Sequence, residues 1–532
     1  MADNVNNAQE TGHAPSESHK PSLDGVCAGA FKGRKVIYSD CELVDERNVV
    51  DVLQESLAAH AFNAAQIGYL WRYYKGVQPI LWREKEVRPE IKNDVVENHA
   101  QEIVAFKIGY QLAEPLQYTC RMQGGKADDG EANGEYEDTL ADVNELNTLM
   151  FAEDKASHDR DLFEWMCVCG LGYRMCEVDS EYDAEEGDAP FDLYVLDPRD
   201  TFVVRSSRYH HRMLMSVLIS HDFDEGKTIY TVYTNSGYFE IVDGRIVDSK
   251  PHTYRANPVV EYRLNNARMG VFEPVLPLLD AINKVESNRL DDIEQIVQAL
   301  MVFKDCDISG DDYDEMREKG AVKIRSLDPS VKAAIEMLNN PLDQIGTQTV
   351  KEDLYQSVVN ICGMPNRNGQ GGSTSDTGAA VLLRDGWTLA ESHAKSYELQ
   401  FKRSERDFLR VAMSVCRQSK DCDLDLRIRD IELAFNRRNY ENIMAKAQVL
   451  TTMLGTGKIH PQLAFQACGL FTDPDAAYKQ SCEYAESNDV GVGEAALAVA
   501  RSQAVEQGSQ RGSQATVPEP DDGSSAANAA SA

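Results

Sequence analysis

The chain is poor in several things that would narrow its function quickly. Positive charge comes first: 54 lysines and arginines stand against 87 acids in 532 residues, a formal net charge of −33. Tight general binding to nucleic acid needs clustered cations, so a chain-wide grip on phosphates is excluded, whereas local contact, or guidance without adhesion, is not. The plainest account of the acidity is a solvated surface. No two of the twelve cysteines form a CxxC pair. The nearest approach, CVCGLGYRMC from Cys167 to Cys176, lacks the paired spacing or histidine partners of a zinc site, and buried thiols in a reducing cytoplasm explain it better. The opening MADNVNNAQETGHAPSESHKPS has no apolar run of the kind a secretory leader needs, and nowhere is such a run long enough to cross a bilayer. The expectation is a soluble, cytoplasmically made protein without a membrane partner.

What is present organises the chain. A hydrophobic fraction of 42% suffices for a packed core, and the length suggests three or four domains, or one elaborate body with appendages. Residues 1 to about 30 and the end QGSQRGSQATVPEPDDGSSAANAASA are low in complexity and read as disordered, with order expected from near Leu43 to near Glu486. In DVVENHAQEIVAFKIGYQLA (94–113) the apolar positions Val95, Val96, Ile103, Phe106 and Leu112 predict a helix with one buried face. Two more helices and a strand follow over LNTLMFAEDKASHDRDLFEWMCVCGLGYRMCEVD, then a series of short strands; Asp243-Gly244 marks a hairpin. The first half is therefore α+β. From Gly270 the chain turns mainly helical. VFEPVLPLLDAINKVESNRLDDIEQIVQAL predicts a helix with Pro274 and Pro277 in its first turn and a narrow apolar seam of Leu279, Ile282, Leu290, Ile293, Val297 and Leu300. The runs ALMVFKD and GAVKIRS read as strands around DCDISGDDYDEMREK. Further helices are expected over 342–362 and, for some 40 residues, over 377–418, with a kink at Gly386. A last helical cluster has its starts near Asn439, Pro461 and Asp473.

Three stretches invite chemistry. NRNGQGGSTSDTGAAVLLRDGW (366–387) is Gly-rich and runs into a helix, which suggests a nucleotide loop and an enzyme using residues 369–374. But no lysine follows its glycines as a P-loop requires, and a helix rather than a strand precedes it. In DCDISGDDYDEM, Asp305, Asp307, Ser309 and Gly310 occupy calcium-loop positions, which would suit a calcium-regulated scaffold, yet Met316 stands where a bidentate glutamate belongs. A solvated acidic turn is the preferred reading. His210-His211 has no matching ligand cluster, FKRSERDFLR reads as an ion-paired solvent face, and order alone assigns no nucleophile–base arrangement. No catalytic residue, metal or cofactor is expected.

The order of parts resembles the portal proteins (head-to-tail connectors) of tailed double-stranded-DNA bacteriophages, of the long non-contractile-tail type. The stretches that carry the resemblance are NDVVENHAQEIVAFKIGYQLAEPLQY, CGLGYRMCEVD with LYVLDPRDTFVV, NPVVEYRLNNARMGVFEPVLPLLDAINKVESNRLDDIEQIVQALMVF and IELAFNRRNYENIMAKAQVL, spanning about 60–485. Ala113 departs from the Gly of many relatives, and the acidic Asp128–Asp138 insertion and long tails look private to this chain.

The resemblance implies a non-enzymatic ring, twelve subunits as a rule, with wing, stem, clip and crown parts. On it, 1–42 is an arm, 43–270 with 377–430 the wing, 271–299 and 341–362 the stem helices, 300–340 the clip, 431–486 the crown and 487–532 a tail. Asn366, Arg367, Asn368, Gly369, Gln370, Gly371, Gly372, Ser373, Thr374, Ser375 and Asp376 would form a tunnel loop on the DNA channel. Its glycines permit many backbone states, and its small polar side chains can meet phosphates without reading bases. Lys284, Glu286, Arg289, Asp291 and Asp292 would face the tunnel or neighbouring subunits, and Asp311, Asp312, Asp314, Glu315 and Arg317 would meet partners at the clip. Implied partners are copies of the chain, non-specific duplex DNA, the terminase large subunit, head-completion or adaptor proteins, and capsid and scaffolding proteins. The implied place is the portal vertex of the virion after assembly in the host cytoplasm.

Overall fold

The computed structural model describes residues 33–487, apart from 122–129, 298–300, 308–324, 327–333, 338–343, 366–385, 438–442, 472–473 and the single positions 87, 186, 223, 255, 305, 421, 423, 425, 436 and 457. The expected arm before residue 33, the tail after 487, the Gly-rich segment and the acidic turn therefore lie outside the described residues. The chain divides into two units, one of residues up to 376 with 380–437, the other of 438 onward with 377–379.

Order begins earlier than the composition suggests. Strand β1 (Ile37–Ser39) pairs parallel with Val204–Ser206, and Arg34 is buried against Glu273 at 2.6 Å. Three strand residues without a turn signal are too few for periodicity to reveal, so residues 33–42 belong to the folded unit and not to the expected arm. Helix α1 (Val49–Tyr74) buries Val49, Val52, Leu53, Ile67 and Leu70, the three-and-four spacing of one helical face. Helix α2 is His99–Gln111. The predicted helix from 94 starts five residues late because residues 92–98 are drawn out along a later helix (below). Strand β2 (Gln117–Cys120) precedes α3 (Gly130–Ala152) and α4 (Lys155–Cys169). Gly170 ends α4 at φ +84, where a Cβ would lie 2.3 Å from the Arg268 backbone; only glycine lets the chain turn there into β3 (Leu171–Val178).

Among the described residues the strands fall into five sheets, all in the first unit. After β3 come β4 (Phe191–Leu196), β5 (Thr201–Ser206), β6 (Met213–Asp222), β7 (Lys227–Tyr233), β8 (Gly237–Val242), β9 (Arg245–Pro251) and β10 (Val259–Arg263). One sheet has the order β1-β5-β6-β7-β8-β9, a second β10-β3-β4. The β8–β9 turn is the expected hairpin, with Asp243 and Gly244 both at positive φ as a two-residue turn demands. Helix α5 (Leu276–Val297) follows a 3₁₀ turn holding Pro274, and Pro277 sits in its first turn. Short strands β11 (Met301–Lys304), β12 (Cys306–Asp307), β13 (Arg325–Ser326) and β14 (Ala334–Met337) pair as β11–β14 and β12–β13, all antiparallel. Helix α6 (Gln344–Cys362) lies beside α5, and α7 (Trp387–Cys416) packs on β10, β3 and β4. Gly386 is not a kink inside α7 but its left-handed N-terminal cap, at φ +81. Strand β15 (Ile431–Ala434) pairs with β2, so IELA belongs to the first unit and the division falls after Arg437, not at residue 431.

The FKRSERDFLR stretch is not simply a solvent face. Glu405 is buried and gathers five elements: its carboxylate accepts from Tyr118 (2.6 Å), Tyr262 (2.6 Å), Lys155 (2.9 Å) and Arg174 (3.4 Å). Asp159 completes the cluster by pairing with Lys155 and Arg174, so two cations meet two anions. Charges this deep persist only when matched and hydrogen-bonded. The second unit is smaller: α8 (Ile443–Gly455), α9 (Pro461–Cys468) and α10 (Pro474–Ser487), around Leu450, Ala464, Phe465 and Cys468. Pro461 and Pro474 open their helices at or beside the expected starts.

Candidate functional site

The α5–α6 pair carries most of the expected site residues that the structure describes. Its geometry starts from α5, where Asn283, Ser287 and Asp291 recur every four residues and are all buried. Residues 92–98 run antiparallel along that face. The backbone N–H groups of Glu97, Val95 and Asn93 donate to Asn283 Oδ1 (2.8 Å), Ser287 Oγ (2.9 Å) and Asp291 Oδ1 (2.7 Å). Two residues of drawn-out chain span about 6.6 Å, and four residues of helix rise about 6 Å, so the two periods stay in step over three bonds. A strap otherwise short of backbone partners is thereby satisfied by side chains.

Asp291 is fully engaged with its own chain. Its other oxygen takes Arg83 (2.6 Å) and Lys85 (3.1 Å). Burial opposes its charge, but the Asn93 N–H and these cations hold its carboxyl below the usual range.

Glu286 and Arg289 join α5 to α6. Arg289 donates to Gln344 (2.7 Å), Gln348 (3.0 Å) and Glu286 (3.5 Å), and Glu286 pairs with Lys351 at 2.8 Å. Lys351 also meets Glu97, at the end of the strap. From there the chain of contacts enters α2. His99 stands between Glu97 (2.9 Å) and Glu102 (2.8 Å), and Tyr355 of α6 donates to Glu102 at 3.0 Å. Burial works against a charged imidazole, yet the two carboxylates outweigh it and raise its pKa to about 9. The hydrogen bond from His99, aided by Lys351, brings Glu97 down to about 2 against the effect of burial. An imidazolium thus ties strap, α2 and α6 together.

Lys284 and Asp292 are exposed and make no ion pair among the described residues. The predicted seam of α5 is buried only in its first half: Leu279 and Ile282 are enclosed, while Leu290 and Ile293 are each 42% exposed. On α6, Ile345, Val350 and Ile361 are exposed as well. The pair therefore leaves apolar side chains facing outward.

The Gly-rich residues Asn366–Asp376 and the turn residues Asp311, Asp312, Asp314, Glu315 and Arg317 lie outside the described residues. Their anchorage is described. Helix α6 ends at Gly363 (φ +60), whose carbonyl accepts from the buried Lys107 at 3.0 Å. Burial lowers that ammonium to a pKa of about 8. A Cβ at Gly363 would meet the His393 ring of α7 at 2.9 Å, so the end of α6 packs directly against α7. His210 and His211 are exposed on the β5–β6 connection, and Cys167, Cys169 and Cys176 are buried free thiols. Among the described residues no group of three or more His, Cys, Asp or Glu side chains could hold a metal, and no helix is long and apolar enough to cross a membrane.

The strap, the Glu97–His99–Glu102 chain and the Glu405 cluster were not read from the sequence. One signal was visible: Asn283, Ser287 and Asp291 are small acceptors at i, i+4 and i+8 on one helix.

The site is thus a helix pair bonded by polar bridges to a mixed helix-and-sheet body, with apolar side chains left facing outward. The model of the family "Phage portal protein, SPP1 Gp6-like" matches residues 54–490, and the chain belongs to that family of bacteriophage portal proteins. No curated protein matches the chain.

Proposed function

We propose that this portal protein assembles as a ring around a duplex-DNA channel at one capsid vertex. On this reading the ring serves genome packaging, retention and ejection. It docks the packaging motor (the terminase large subunit) first and the head-completion or adaptor proteins and tail later. Capsid and scaffolding proteins would surround it during assembly in the host cytoplasm. ATP hydrolysis belongs to the motor, and the portal acts as structure, not as an enzyme.

The parts follow the two units and the helix pair. Residues from β1 to β10 with α7 make the wing, α5 and α6 the stem, residues 300–340 the clip, and α8–α10 the crown. Asn366–Asp376 is the tunnel loop, leaving α6 beyond Gly363 and returning at Gly386. Lys284 and Asp292, exposed on α5, are the stem residues available to the channel or a neighbour, while Glu286, Arg289 and Asp291 hold the stem to its own subunit. A ring multiplies the −33 charge by its copy number, and a wall that acidic repels the duplex instead of gripping it.

The observation that carries this reading is the family match over 54–490 together with the outward apolar side chains Leu290, Ile293, Ile345, Val350 and Ile361 on the helix pair. Exposed apolar residues on a paired, ordered stem are what a contact between copies would cover. Negative-stain images and light scattering of the purified protein test it. Annular particles with a central hole are expected, and a compact monomer at every concentration would overturn it.

A further inference from the structure

Helix α7 sorts its charges by side. At 100° per residue, Lys395, Leu399, Arg403, Arg406 and Arg410 fall within an arc of about 80°, some 22 Å long. That arc lies opposite the face that buries Ala394, Phe401, Phe408, Ala412 and Val415. Glu391, Glu398 and Glu405 cluster on another side, about 40° wide, and bind cations of their own chain: Arg437 takes Glu391 at 3.2 Å and Glu398 at 2.8 Å. Two acids flank the outward arc: Asp407 pairs with Arg410, and Glu391 meets Lys395 at 3.7 Å.

Arg403 and Arg406 are exposed and make no ion pair among the described residues. Arg263 of β10 reaches the same face. It donates to Gln400 at 3.2 Å and lies close enough to Arg403 that the two charges repel. Leu399, in the middle of the arc, is 70% exposed. In a chain of net charge −33 this is an ordered cationic face whose central Arg403 and Arg406 have no ion-pair partner among the described residues.

We propose that this outward face of α7, centred on Arg403 and Arg406 with Arg263 beside them, receives the acidic surface of the neighbouring copy. The inference rests on the ring reading above. A closed ring needs two different faces that fit each other, because each copy meets one neighbour with each. The surplus of acids supplies the second face. The β3–β4 connection, in the sheet on which α7 packs, presents exposed Glu181, Asp183, Glu185 and Asp188. A protein partner is favoured over nucleic acid by the exposed leucine within the arc and by arginine outnumbering lysine there, since interfaces between proteins are enriched in arginine and depleted in lysine.

The test uses the full chain carrying Arg403→Glu with Arg406→Glu, and a milder pair, Arg403→Gln with Arg406→Gln. Light scattering over a concentration series gives the concentration of half-assembly, at about 0.15 M and about 1 M salt, where the screening length falls from roughly 8 to 3 Å. Both side chains are exposed, so circular dichroism and subunit melting should be unchanged. The glutamate pair should raise the half-assembly concentration at least about tenfold, the glutamine pair less, and high salt should weaken wild-type assembly. Should the glutamate pair lower the melting point, the glutamine pair decides. Variant rings forming at the wild-type concentration would overturn this proposal alone. Normal rings with lost binding of a labelled duplex would make the face a nucleic-acid surface and equally overturn it. A wild type that stays monomeric overturns the ring reading, and this inference with it.

Discussion

Asp291 on α5 accepts the backbone N–H of Asn93 at 2.7 Å and, through its other oxygen, the guanidinium of Arg83 at 2.6 Å. One carboxylate therefore closes the last of three strap bonds and neutralises the cations beneath it. Replacing it with alanine leaves Arg83 and Lys85 without that anion and Asn93 without its acceptor. Asp291→Ala should cost about 2–4 kcal/mol of subunit stability. Its exposed neighbour gives the control, since Asp292→Ala should stay within about 0.5 kcal/mol. Chemical-denaturation midpoints of the two variants check this, and equal effects would show that the strap is not held by Asp291.

His99 makes part of the stability depend on pH. Its pKa is about 9 in the fold against 6.5 as a free side chain. A raised folded pKa means that the fold binds the proton more tightly. The contribution is complete below about pH 6.5 and is lost as the pH climbs through about 9. His99→Gln should therefore lie below wild type by about 2–3 kcal/mol near neutrality, a gap that closes toward alkaline pH. Lys107, whose pKa is lowered to about 8, titrates in both proteins and drops out of the difference. Melting curves from neutral to alkaline pH test the sign, and a gap that widens with pH would refute it.

The Glu405 cluster predicts a severe core substitution on a helix whose outer face is tolerant. Burial opposes the charge of Glu405, but Lys155, Arg174 and the two tyrosine hydroxyls bring its pKa to about 2. Glu405→Gln leaves Lys155 and Arg174 to share Asp159, an uncompensated charge in the core. The expected loss is about 3–5 kcal/mol, read as a lower denaturation midpoint or loss of soluble protein. A variant as stable as wild type would mean that water reaches the cluster.

Arg289 bridges the stem helices through Gln344 and Gln348. Arg289→Glu removes both bonds and sets a second carboxylate beside Glu286, at a cost of about 1–2 kcal/mol. Fewer filled particles are expected in a packaging assay with the variant. A normal yield of full genomes would separate the stem bridge from function.

Deletion of Gly369–Ser373 should leave ring assembly intact while impairing packaging or DNA retention, because its polar, glycine-rich residues suit sliding contact and contribute no apolar surface to a subunit interface. Image analysis of the deleted protein and a DNA-retention assay read the two properties separately. Subunits that fail to associate would make the segment an assembly element instead.

Much of the fold was legible wherever local chemistry acts alone. Asp243-Gly244 can only turn, Pro274 and Pro277 fit only a first helical turn, and the short apolar and β-branched runs from β3 to β10 read as strands between turns. The misreadings share one cause. Val95 and Val96 look like the start of a helical face, but residues 92–98 gain more from α5 than from coiling on themselves. Glu405 sits in a charged run that reads as solvent-facing, yet its position on the helix turns it inward, toward partners 143 to 287 residues away.

The sequence by itself determined the kind of molecule: an acidic, α+β, mainly helical chain whose order of segments is that of a phage portal, with helix ends and turns set by glycine, proline and short polar residues. Only the tertiary structure decided which charges are spent inside the subunit and which remain for others. Asp291, Glu286 and Arg289 share one helix with Lys284 and Asp292, and all read alike as polar residues. Their fates separate because the strap and α6 bring acceptors and counter-ions to one side of α5 alone. Such pairing depends on distance in space, which spacing along a chain does not encode.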